Sequence, residues 1–380
     1  MDIDLTDDQR MLQDTTRRFL EDRSPVTALR KIADNKLGLD RAIWRECAEQ
    51  GWVALFVPEA FGGFSESAQG VLDAAIIAEE TGRVVFSGPL LPTCVAAFAI
   101  AQAGSDAQRE ALLPGLAAGE TVAAWCLSGP GVRAGIEPGG VIATRDGDGF
   151  VLNGTAGFVQ DAADADLLLV TAVDGANNNG AGVSQFVIPA GTAGITLAPR
   201  NALDLGRRLA DVRFDGVRLG ADALLGTAGE AAAMVERQLQ LALVLQSAET
   251  VGVTDRALEF TLDYMKQRMA FGRPIGSFQA LKHRVADHAT QLEGAKAAVA
   301  HAARAVHEGA ADAAIAVSVA KSQSGRWGTE IIRDCLQLHG GIGMTWEHDI
   351  HFYLRRAVSN EALWGAPPVH HERLCRLAGL

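Results

Sequence analysis

At 380 residues the chain is long enough to bury two or three cores of ordinary size. A net charge of −12 and a pI near 5.2 supply no basic face, which argues against nucleic acid or an anionic membrane as partner. Five cysteines, Cys47, Cys94, Cys126, Cys335 and Cys375, lie scattered without CxxC spacing or a preceding secretory leader, so reduced thiols and a cytoplasmic location are predicted. The apolar run at 95–103 is too short and too rich in alanine to span a bilayer.

Three compositional blocks follow one another. From Thr6 to about Leu116 the pattern is helical: Thr6-Asp-Asp-Gln9 has capping-box spacing, and Met11, Leu12, Phe19 and Leu20 recur at helical intervals behind it. Residues 35–39 punctuate the helices, and Pro58-Glu59-Ala-Phe-Gly62-Gly63 reads as a turn joining two of them. In the middle block, 122–127, 149–152, 165–170, 184–188, 195–199 and 211–214 are short apolar or alternating runs bounded by Gly, Asp and Asn, which predicts an antiparallel β domain. Residues 175–182, with three successive asparagines, are predicted to be an exposed hairpin loop. Helices return after Gly229, over 231–268, 279–308 and 311–338. Helices, then strands, then helices predict an α+β chain: an N-terminal helical domain (1–118), a middle β-barrel domain (119–226) and a C-terminal four-helix bundle (227–380).

Two segments carry most of the chemistry: Arg268-Met-Ala-Phe271-Gly272-Arg-Pro-Ile-Gly-Ser-Phe-Gln279 and Gln337-Leu-His339-Gly340-Gly341-Ile-Gly343-Met. Arg268 closes a long helix and can set a planar guanidinium against a diphosphate, a geometry lysine cannot copy. Phe271 and Gly272 are predicted to end that helix, and the glycines after Gln337 let backbone amides approach a ligand closely. Either segment alone could merely cap a helix or turn the chain. Together, in this order, they resemble the flavin-contacting signatures of the acyl-CoA dehydrogenase family, and the resemblance spans nearly the whole chain. It implies FAD as cofactor, with Arg268, Phe271, Gln279, Gln337, Gly340 and Gly341 clasping the diphosphate and adenine of the neighbouring subunit's FAD. It also implies a dimer of dimers, an acyl-CoA substrate and an electron-transfer flavoprotein or similar acceptor.

Within the β domain the resemblance is uneven. Trp125-Cys-Leu127-Ser128-Gly129-Pro130 lines up with the family strand whose hydroxyl residue bonds the flavin ring, so Leu127 and Ser128 are implied cofactor contacts. The family's following Gly-x-Gly-Ser-Asp run is replaced by Gly131-Val-Arg133-Ala-Gly135. Gly154-Thr-Ala-Gly-Phe158-Val159-Gln160 stands where Gly-x-Lys-x-Trp-Ile-Thr is usual; Phe158 keeps an aromatic face for the ring and Gln160 a polar atom near its N5.

Desaturation of an acyl-CoA thioester needs a carboxylate to take the α-proton while the β-hydrogen leaves as hydride to flavin N5. The usual base positions, by resemblance, hold Trp364 and Ala242 here. Glu249 lies seven residues beyond Ala242, on the same helix face and about 10.5 Å further along, and interrupts an apolar run. It is the favoured substitute base, with a buried structural carboxylate as the alternative. Glu361, one turn before Trp364, is a second candidate, with an ion-paired surface role as its alternative. His348, His351, His370 and His371 form no set of three or four ligands, so no metal is predicted. The function predicted is an FAD-dependent acyl-CoA dehydrogenase. The alternatives are a non-catalytic or half-catalytic subunit of a mixed assembly, or a flavin-dependent oxidase or monooxygenase on the same fold.

Overall fold

The computed structural model describes residues 5–35, 38–64, 70–130, 135–175 and 182–380. The predicted punctuation at 36–37, the altered run at 131–134 and the loop at 176–181 lie outside them. The N-terminal part comprises α1 (Asp7–Arg23), α2 (Ala28–Asn35), α3 (Arg41–Glu49), α4 (Val71–Arg83), α5 (Leu90–Ala103) and α6 (Asp106–Ala117). The Thr6 hydroxyl accepts from the Gln9 N–H and the Gln9 side chain from the Thr6 N–H, so the predicted capping box forms. Ser105 and Gln108 make a second box at α6. The apolar run at 95–103 belongs to α5, which is buried around nearly its whole circumference: it is a core helix. Among the described residues no helix is long and apolar enough to cross a membrane.

The middle block folds as one eight-stranded sheet: β1 (Ala123–Cys126), β2 (Val141–Asp146), β3 (Gly149–Gln160), β4 (Leu167–Asp174), β5 (Val183–Pro189), β6 (Ile195–Arg200), β7 (Leu209–Leu219) and β8 (Leu224–Leu225). The order is β6-β7-β3-β2-β4-β5-β8, with β1 beside β4. The sheet is not wholly antiparallel, because β4 pairs in parallel with both β1 and β2. Strand β2 was not anticipated: only Val141 and Ala143 face the core, too few to register as alternation. Strand β3 runs well past the predicted 149–152. Register shifts near Gly154 and between Ala156 and Val159 bend it, and bulges of this kind commonly re-aim side chains beside a site.

The C-terminal part holds α7 (Ala232–Gln267), α8 (Gln279–Glu308), α9 (Ala313–His339), α10 (Ile350–Ala362) and α11 (Pro367–Leu377). Helix α7 ends at Gln267, so Phe271 and Gly272 do not terminate it as expected. They form the turn of a two-stranded hairpin, β9 (Met269–Ala270) and β10 (Arg273–Pro274), with φ +53° and +78°. Buried side chains of both helical parts merge into one core, while the sheet keeps a second core of its own. Helix α4 crosses α7 at two glycines: a Cβ on Gly82 would lie 2.1 Å from the Glu249 carbonyl oxygen, and one on Gly252 1.8 Å from that of Glu79.

Candidate active site

A cavity of about 590 Å³ opens between the sheet and α10, a size typical of small-molecule and cofactor sites. Its sheet wall is built by Trp125, Leu127 and Ser128 at the end of β1 and by Phe158 on β3. Its other walls are the 200–209 connection and the face of α10 that runs into Trp364. Phe158 and Trp364 both have positive φ, +53° and +51°, which is a genuine outlier for a bulky side chain and characteristic of functional sites. The strain at Phe158 is held locally. Its N–H donates to Asp211 (3.3 Å), Asp211 pairs with Arg200, and the Arg200 guanidinium sits 5.4 Å from the Phe158 ring centroid.

The donor set fits a flat, acceptor-rich ring system. Trp125, Phe158 and Trp364 offer aromatic surface, with the two tryptophan rings 6.0 Å apart, and the Trp125 indole N–H is buried without a partner. The Ser128 hydroxyl already donates to the Glu137 carbonyl, so its free lone pairs can only accept. Arg200, Asn201 and Ser359 also line the cavity. Sequence reading missed them because no motif marks the end of β6, the connection after it or α10.

Three of the expected cofactor residues, Leu127, Ser128 and Phe158, thus meet at this cavity. Gln160 does not line it. Its carbonyl accepts from Arg207 (3.0 Å) and its amide donates to Asp161 (3.1 Å), which draws the side chain toward a separate space of about 30 Å³ shared with Thr81, Leu90, Leu245, Arg207 and Glu249. Arg268, Phe271, Gln279, Gln337, Gly340 and Gly341 lie apart from the cavity, all exposed near one end of the helical bundle; Phe271 is 95 % exposed.

Glu249, the favoured candidate base, sits in an ion-paired network away from the cavity wall. One carboxylate oxygen accepts from Arg356 (2.6 Å), the other from Arg207 (2.7 Å) and Asn360 (2.9 Å). Burial pushes this carboxyl up, but the two guanidiniums and the amide outweigh it and hold Glu249 below the ordinary carboxylate value. A carboxylate so stabilised, and absent from the cavity wall, is unsuited to take a proton from a carbon acid. Glu361 also misses the cavity: its Cγ packs against α9, 3.6 Å from where a Cβ on Gly325 would stand. Among the described residues, no Asp or Glu lines the cavity.

His348, His370 and His371 serve local structure. His348 accepts from the Ile350 N–H (3.2 Å), His371 bonds Ser322 (2.6 Å), and His370 Nε2 donates to the Trp364 carbonyl (2.9 Å), fixing the turn that carries Trp364. Burial drops the His370 pKa from 6.5 to about 4. The folded state therefore keeps His370 neutral while the unfolded chain takes up a proton below pH 6.5. This contribution is fully present above pH 6.5 and is lost as the pH falls toward 4, by up to about 3 kcal/mol. Thermal melts across that window should show less acid destabilisation in His370→Gln than in the parent; identical pH slopes would contradict the assignment.

Models for the N-terminal, middle and C-terminal domains of acyl-CoA dehydrogenases match residues 6–120, 126–217 and 230–377. Acyl-CoA dehydrogenase IpdE2 of Mycolicibacterium smegmatis is 31 % identical, over 98 % of both chains. IpdE2 of Mycobacterium tuberculosis is 34 % identical, over 95 % of this chain and 94 % of its own. Among solved structures, a variant of the Tcur3481–Tcur3483 steroid ACAD superposes with a TM-score of 0.86 at 31 % identity, over 98 % of each chain. PigA with FAD and proline gives 0.91 at 26 %, covering all of both chains. The ChsE4–ChsE5 complex of Mycobacterium tuberculosis gives 0.88 at 26 %, over 100 % of this chain and 99 % of that one. With three domain models in order, relatives above 30 % identity along the whole length and a cavity suited to a flavin ring, the chain belongs to the acyl-CoA dehydrogenase family, FAD-dependent oxidoreductases acting on acyl-CoA.

Proposed function

We propose that this chain is one half of a two-chain acyl-CoA dehydrogenase: it contributes cofactor contacts, and a different chain contributes the carboxylate that takes the α-proton. The carrying observation is the absence of any Asp or Glu on the described cavity wall. Residues 131–134, outside the described set, are Gly-Val-Arg-Ala and add no carboxylate. Trp364 stands on the wall, Glu249 is spent on two arginines and Glu361 faces α9. The relative described as a ChsE4–ChsE5 complex offers a precedent for a mixed assembly.

A bound FAD would supply the hydride acceptor for the β-hydrogen. In this reading Phe158, Trp125 and Trp364 would hold the ring and exclude water from it, and Leu127 and Ser128 would contact it. Arg268, Phe271, Gln279, Gln337 and Gly340–Gly341 face outward to hold the diphosphate and adenine of a cofactor seated in the neighbouring chain. The exposed Met269, Phe271, Ile315 and Val319 fit burial between subunits in a dimer of dimers. An electron-transfer flavoprotein or similar acceptor would reoxidise the assembly in the cytoplasm.

The test is anaerobic addition of an acyl-CoA panel, followed by the visible spectrum. It should include a steroid side-chain thioester, because one solved relative is described as a steroid ACAD. The FAD-loaded chain alone should stay yellow, and the assembly co-purified with its partner should bleach. Bleaching by the chain alone would overturn the half-catalytic reading.

A further inference from the structure

We propose that Glu249 is a positioning residue for the cofactor cavity, tying two of its walls to α7. The inference rests on the assignment of FAD to this cavity and not on which chain holds the base. The first of these walls is the end of β6 and its connection to β7, where Arg200, Asn201, Ala202 and Leu203 face the cavity while Asp204 and Arg207 turn into the protein and are buried. The second is α10. Val358, Ser359, Ala362 and Leu363 face the cavity, and Arg356 and Asn360, buried on the other side, reach back toward α7.

All four inward groups converge on one carboxylate or on its partners. Glu249 accepts from Arg207 of the first wall and from Arg356 and Asn360 of the second. Arg207 also donates to the Asn360 side-chain oxygen (2.8 Å), and Arg356 pairs with Asp204, closing the network between the walls. A further Arg356 bond, to the Phe86 carbonyl (2.9 Å), anchors it to the N-terminal helical part. Two arginines and two carboxylates leave no surplus charge, so the network is not a recognition site for a polyanion. Residues 201–208 lie outside the strand pairing that fixes β6 against β7. Their position over the cavity is set by these side chains together with the Ser87 hydroxyl on the Gly206 carbonyl and the Arg208 pairs with Asp161 and Asp164. At the surface, Arg355 adds one more link by donating to the Leu203 carbonyl (3.1 Å).

A merely structural carboxylate would affect stability and leave the bound cofactor as it was. A positioning carboxylate must affect the cofactor even when stability is restored. Replacing a buried ion pair by apolar residues is often neutral or stabilising, whereas removing one partner is not. The double variant Glu249→Leu/Arg207→Leu removes one negative and one positive charge and leaves Arg356 paired with Asp204. The milder Asn360→Ala removes the amide's bonds to Glu249, Arg207 and Thr250 while leaving both arginine–Glu249 pairs in place, and covers the case in which the double variant does not fold.

FAD release from the holoprotein, counted per chain, is measured beside the melting temperature of the apoprotein and the flavin absorption bands. The parent, which must retain FAD, controls for the cofactor assignment itself. Expected results are FAD binding weakened about tenfold or more in the double variant, and less in Asn360→Ala, each with shifted flavin bands and no matching loss of apoprotein stability. Parent-like FAD retention and parent-like bands in the variants that fold would overturn the proposal. Affinity losses that merely track the loss of apoprotein stability would do the same.

Discussion

Gly252→Ala is expected to destabilise the fold by about 3 kcal/mol or more, and Gly252→Val to prevent folding under ordinary conditions. A Cβ at Gly252 would stand 1.8 Å from the Glu79 carbonyl oxygen, 2.8 Å from its carbon and 3.2 Å from the Arg83 nitrogen. Every one of these is a backbone atom of α4, so no side chain can swing aside. The gain of about 1 kcal/mol from placing alanine for glycine inside a helix is too small to compensate. Separation of α4 from α7 would also strip contacts from a core shared by both helical parts and shift the segment that carries Glu249. Chemical denaturation of the variants provides the measurement. A loss below about 1 kcal/mol for Gly252→Ala would mean that the two helices slide apart without cost and that the crossing does not organise the fold.

Much of the architecture was legible because it rests on local rules. The Thr6 capping box, the long helices and most strands follow from caps and periodicity, and the order of helices, strands and helices fixes the class. What escaped depends on contacts distant in sequence. Strand β2 carries little apolar alternation of its own and is held by β3 and β4. Phe271-Gly272 has the composition of a helix cap, yet the following Arg273-Pro274 pairs back on Met269-Ala270, and a hairpin results.

Glu249 shows the same limit at the site. A lone carboxylate in an apolar helical run supports two readings, a base or a buried ion pair, and only its neighbours decide between them. The arginines that pair with it lie 42 positions upstream and 107 downstream. The Arg207-Arg208 pair gave no hint of its direction, since Arg207 turns to Glu249 and Arg208 to Asp161. Leu127, Ser128 and Phe158 were found by motif and do meet at the cavity, whereas Gln160 occupies the expected strand position but is claimed by Arg207.

Deuterium uptake at the α-carbon of an acyl-CoA thioester, followed by mass spectrometry in D₂O, reports proton abstraction separately from hydride transfer. With the FAD-loaded chain alone, uptake should not exceed the uncatalysed background, because among the described residues the cavity wall offers aromatic rings, hydroxyls and Arg200 but no carboxylate. A positioned general base contributes about two to four orders of magnitude. Uptake should rise by a factor of that order when the partner chain is added, and Glu249→Gln should leave the background of the isolated chain unchanged. Uptake by the isolated chain at the rate of the assembly would contradict the account and return the base to this subunit.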